Sequence, residues 1–193
     1  LTALGQKLAI SDRRNQGEFA KWVGAVKRYN GAFGYVRDVA RRLRNLATEF
    51  VEYREVLTEQ GVQLLGSNRL EQLIQFMETC TEAEVHSPVE FRLQDEQGHV
   101  SGVVNGVLIS EIPNVDFVDE SSCIIYGDAN AYQFIVVGTE PGLYWIRIGT
   151  SAKQDSTECV FEGVAIPVEQ GSVHVYTIDW DALARGKEGV TLQ

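Results

Sequence analysis

The sequence predicts an α+β chain: an antiparallel helical hairpin, coiled-coil-like, over residues 1–85, followed by an antiparallel β-sandwich of about eight strands over residues 86–193. Three observations carry this. Apolar residues recur with a period of 3.5 through residues 22–57, the period drops to two after Pro88, and glycine-centred turn signals then return every several residues.

The helical prediction rests on a seam of alternating three- and four-residue steps. It runs Trp22, Ala25, Tyr29, Ala32, Val36, Val39, Leu43, Leu46, Phe50, Tyr53 and Leu57. That spacing keeps one apolar stripe facing a partner helix. Gly31 and Gly34 lower helix propensity, so the seam is cleanest from Val36 onward. Gly61 marks the expected end. A second helix is expected from a cap at Asn68, with Glu71 three residues on and Leu70, Leu73, Met77 and Cys80 repeating the spacing. A short connection folds two such helices back on each other.

In the long helix Arg37, Arg41, Arg42 and Arg44 precede Glu49, Glu52, Glu55 and Glu59, an order that opposes the helix dipole. An antiparallel second copy would set arginines against glutamates. Arg37, Arg41, Arg44, Glu52, Glu55 and Glu59 are therefore candidate residues for self-association, against the plainer alternative of a solvated face with local ion pairs.

In the second half Val89, Phe91 and Leu93 alternate with polar neighbours, and Asn105-Gly106 between valine-rich runs signals a tight hairpin. Further strands are expected at 123–126, 132–137, 143–148, 158–161, 173–178 and 190–192, with about one helical turn over 179–185.

Composition bounds the function. Residues 1–85 carry 12 basic and 11 acidic side chains, whereas residues 86–193 carry 5 and 16. So acidic a β region repels phosphate backbones, and nucleic acid is excluded as its expected partner. No apolar run reaches the about 18 residues that a spanning helix needs, so no membrane span is expected. Leu1 is neither an initiator methionine nor the start of a signal peptide, and a mature or excised piece is expected.

No catalytic set assembles. His86, His99 and His174 fall on separate strands or turns, and no GxSxG, HExxH or phosphate loop occurs. The expectation is a chain that is not an enzyme. Asp116, Asp119 and Glu120 supply hard oxygen donors in one acidic loop without EF-hand spacing, which leaves calcium as the one cofactor the sequence allows. Cys123 and Cys159 both fall in expected strands and can pair if the protein is exported, with Cys80 left over.

If Tyr144, Ile146 and Ile148 face the core, Leu143, Trp145 and Arg147 share the opposite face. Trp145 beside Arg147 can stack on a sugar ring or a partner protein, or the face can pack on the helices.

The segment VVGTEPGLYWIRI at residues 136–148, the run opening HSPVEFRLQDEQGHVSGVVNG and the closing VYTIDWDALARGKEGVTLQ together resemble pre-peptidase C-terminal type β-sandwiches of secreted bacterial and archaeal proteins. The likeness covers residues 86–193 and no family is recognised for 1–85. It implies a non-catalytic accessory module, secreted or at the cell surface, that mediates assembly or protein contact. The alternative it implies is a carbohydrate- or substrate-binding accessory domain of a secreted hydrolase.

Overall fold

The structure, a computed structural model, describes residues 20–21, 23–28, 80–126, 129–151 and 158–193. The chain divides into two compact units, Leu1–Thr79 and Cys80–Gln193. In the first, residues 20–21 and 23–28 are helical, with Val23 and Lys27 buried.

The second unit is built from β1 (Cys80–His86), β2 (Val89–Gln94), β3 (Val100–Val104), β4 (Val107–Ser110), β5 (Val115–Asp119), β6 (Ser122–Tyr126), β7 (Gln133–Gly138), β8 (Gly142–Ser151), β9 (Glu158–Val168), β10 (Val173–Ile178) and β11 (Val190–Leu192). They form a five-stranded sheet ordered β5-β6-β1-β8-β9 and a six-stranded sheet ordered β11-β10-β7-β2-β3-β4. All pairings among the described strands are antiparallel. A short helix, Trp180–Ala184, joins β10 to β11; Asp179 caps it, its side chain accepting from the Ala182 N–H at 2.9 Å.

The core follows from period-two alternation. Ala83 and Val85 of β1, Cys123 and Ile125 of β6, and Tyr144, Ile146 and Ile148 of β8 meet Phe91 and Leu93 of β2, Phe134 and Val136 of β7, and Tyr176 and Ile178 of β10. Burial of this many large side chains is what holds the two sheets together. Phe91 and Phe117 stack across the sheets with centroids 5.8 Å apart.

The predicted hairpin is present: Val104 pairs with Val107, and Asn105 and Gly106 take φ of 52° and 75°. Glu90 of β2, the neighbouring strand of the same sheet, holds that turn, accepting from the Asn105 N–H at 3.0 Å and the Gly106 N–H at 2.6 Å. Gly102 sits at φ 131° where a Cβ would lie 2.5 Å from Arg92 Cα, so β2 and β3 approach more closely there than any side chain allows.

The expected fold class needs correction. Among the described residues there is no helical hairpin: the helical pieces are 20–21, 23–28 and Trp180–Ala184, and the sheets are two antiparallel ones of eleven strands, not about eight. Cys80, expected as the last seam residue of the second helix, opens β1. The run from Thr81 to Val85 alternates and pairs on both sides, with β6 and with β8. Its two glutamates and alanine favour helix locally, and the flanking strands override that preference. The seam at 36–57 and the start of the second helix at 68–77 lie outside the described residues.

Two further strands differ from expectation. β5 occupies the stretch read as an acidic loop, because Val115 and Phe117 turn inward while Asp116 and Asp119 do not. β9 continues to Val168, past a register shift and a left-handed Ala165 at φ 55°.

Candidate functional site

Strand β8 places its side chains on two faces with different chemistry. On the inner face the Tyr144 hydroxyl bonds to both His174 Nδ1, at 2.7 Å, and the Tyr176 hydroxyl. His174 and Tyr176 lie two residues apart on β10, so this chain of polar tips bridges the two sheets. Phe161 of β9 packs on Tyr176 with centroids 5.5 Å apart. Burial pushes the Tyr144 hydroxyl well above the ordinary phenol range, and the bond to Tyr176 adds to this. Burial raises Tyr176 as well, partly offset by its bond to Tyr144. Both phenols stay protonated, which suits a satisfied interior network and not a nucleophile.

The outer face of β8 carries the predicted trio. Leu143 is 59% exposed, Trp145 is half-buried and Arg147 is mostly covered. Trp145 pairs directly with His86 on β1, their rings tilted at 45° with centroids 4.9 Å apart. On the other side its Nε1 donates to Glu162 Oε1 of β9 at 2.7 Å. Arg147 stands across the ladder from Glu162 but places Nη1 3.8 Å from Glu82 Oε2, beneath it on β1. Glu82 is 1% exposed, so the guanidinium serves a carboxylate that is out of water. Val164, 67% exposed, extends the apolar surface along β9. Trp145, His86, Glu162, Leu143 and Val164 thus form one accessible patch on the β8–β9 side of the five-stranded sheet.

The other expected sites are not brought together. Asp119 Oδ1 accepts from the Ser121 N–H and from the hydroxyls of Ser121 and Ser122, which fixes the β5–β6 turn. Asp116 lies within β5, and among the described residues no group of three or more His, Cys, Asp or Glu side chains is placed to hold a metal ion, so Asp116, Asp119 and Glu120 do not converge. The Cys123–Cys159 pairing is corrected by topology: β6 and β9 lie three strand positions apart in one sheet, with β1 and β8 between them. At about 4.8 Å per strand that is about 14 Å, far beyond the about 7 Å a disulfide can bridge, and the two cysteines are not joined. Arg37, Arg41, Arg44, Glu52, Glu55 and Glu59 lie outside the described residues. Among the described residues, no helix is long and apolar enough to cross a membrane.

A groove of about 680 Å³ runs along β10 and β11, lined by residues 177–179 and 188–192, on the other sheet from Trp145. Its carboxylates are Asp179, already engaged as a helix cap, and Glu188. It gathers no second functional group, and the Trp145 patch is the stronger candidate.

Sequence reasoning found Trp145 and Arg147 but not their partners. His86 and Glu162 come from strands 59 and 17 residues away in the chain, and only the β1-β8-β9 register assembles them. The inner network was missed too, although His174 and Tyr176 share one face of a strand whose period is plain.

No protein-family model matches the chain, and neither a curated protein nor a solved structure does.

Proposed function

We propose that the chain is a non-catalytic interaction module of a larger exported or cell-surface protein, and that the Trp145 face of the sandwich is its contact surface for another protein or a second copy. One observation carries this reading: an aromatic ring and exposed aliphatic side chains, Leu143 and Val164, lie together on an otherwise acidic domain. Large apolar groups held at the surface beside a satisfied core mark contact regions. The likeness to pre-peptidase C-terminal type sandwiches, which rests on sequence pattern alone, points the same way.

Sedimentation of the full chain against an L143D/V164D double variant tests it. Association that rises with concentration and disappears in the variant, at an unchanged melting temperature, supports an assembly role. A second reading, a carbohydrate-binding accessory domain, is favoured by the Trp145–Glu162 pairing, since a ring beside a hydroxyl acceptor suits a sugar. A strictly monomeric chain retained on immobilised oligosaccharide would select that reading instead.

A further inference from the structure

We infer that the Trp145 patch takes a cationic side chain, an arginine or lysine presented by a partner protein; this rests on the interaction-module reading and names its partner's chemistry. The inference begins with the carboxylate of Glu162. It is exposed, it accepts from the Trp145 indole, and no cation among the described residues lies within ion-pair distance of it. Arg147 is its neighbour across the ladder, yet the guanidinium is turned to Glu82.

An indole ring flanked by a carboxylate with no described cation beside it offers a cation two attractions at once, the negative face of the ring and the charge next to it. A planar guanidinium can stack on the ring while its N–H groups reach the carboxylate. The wider field agrees. Residues 80–193 hold 18 acidic and 5 basic side chains, so a positive segment is drawn toward this unit from a distance. Exposed Leu143 and Val164 at the rim would cover the aliphatic stem of the incoming side chain. Neutral sugars gain nothing from that field, and anionic partners are repelled by it.

The test titrates the full chain with a tripeptide amide bearing a central arginine, followed through the indole N–H resonance of Trp145, which is assigned by its loss in W145F. A tripeptide with central glutamine is the control. The arginine peptide should shift the resonance to saturation and the glutamine peptide should not. Added salt should weaken the binding, and E162Q, a conservative change at an exposed position, should weaken it about threefold, the worth of an exposed ion pair. W145L, read on the methyl resonances of Leu143 and Val164, should weaken it about fivefold, as loss of a cation–π contact does. Equal responses to the two peptides, a response indifferent to E162Q, or saturable binding of a neutral oligosaccharide in place of the arginine peptide would each overturn the inference. If it falls while L143D/V164D still abolishes association, only the cation assignment is lost. If L143D/V164D also has no effect, the contact-surface reading falls with it.

Discussion

Tyr144 and Trp145 are adjacent on one strand, and they serve opposite ends of the same structure. Tyr144 is 1% exposed and its hydroxyl is committed to His174 and Tyr176 inside the sandwich. Trp145 is half-buried, and its polar edge points to an exposed carboxylate. Both are aromatic rings with a polar tip, and only the pleat decides their fates. The inner ring ties the sheets together; the outer one leaves a surface that can meet another molecule.

Substitutions along β8 can break that contrast. The largest effect is expected at Ile146, fully buried on the inner face of β8, where Ile146→Ala should cost about 2–5 kcal/mol in chemical denaturation. Next comes Tyr144→Phe, which leaves His174 and Tyr176 short of a partner and should cost about 1–3 kcal/mol.

The same network sets an alkaline limit. Because both phenols are raised in the folded state, the native chain holds those protons more tightly than the unfolded chain does. Their contribution is fully present below the ordinary tyrosine value of about 10 and is lost as pH climbs past it. Stability followed against pH should therefore fall above about pH 10, and less steeply in Tyr144→Phe.

The outer face should respond weakly. Trp145→Ala is expected to cost about 1 kcal/mol, since only part of the ring is out of water. A loss equal to that of Ile146→Ala would mean that this face is packing and not a contact surface. The smallest effect belongs to Glu162→Gln, whose unfolding free energy in chemical denaturation should match the parent's within the about 0.5 kcal/mol typical of surface changes.

These contrasts show which parts of the molecule could be seen in the residues alone. The two faces of β8, the Asn105-Gly106 hairpin, β10, β11 and the helical turn within 179–185 all follow from local spacing, and the structure places them where that spacing puts them. What local spacing could not reveal depends on neighbours in space. β1 hides behind Glu82 and Glu84, good helix formers that become strand residues because β6 and β8 flank them. Acidic residues disguised β5 as a loop. β9 was expected to stop at residue 161, yet the strand bends through a left-handed Ala165 and Pro167 and goes on pairing with β8. The candidate site shared the same obstacle, since one ring was visible and the groups that frame it were contributed by two other strands.

That bend in β9 also governs how anything can approach this side of the sandwich. Among the described strands β9 is the outermost of its sheet, and an unblocked margin of eleven residues would invite a foreign strand to zip alongside. Pro167 offers no N–H, and the twist at Ala165 breaks the regular run of main-chain donors. Recognition here is thereby steered away from sequence-blind backbone pairing and toward side chains, which can discriminate between visitors.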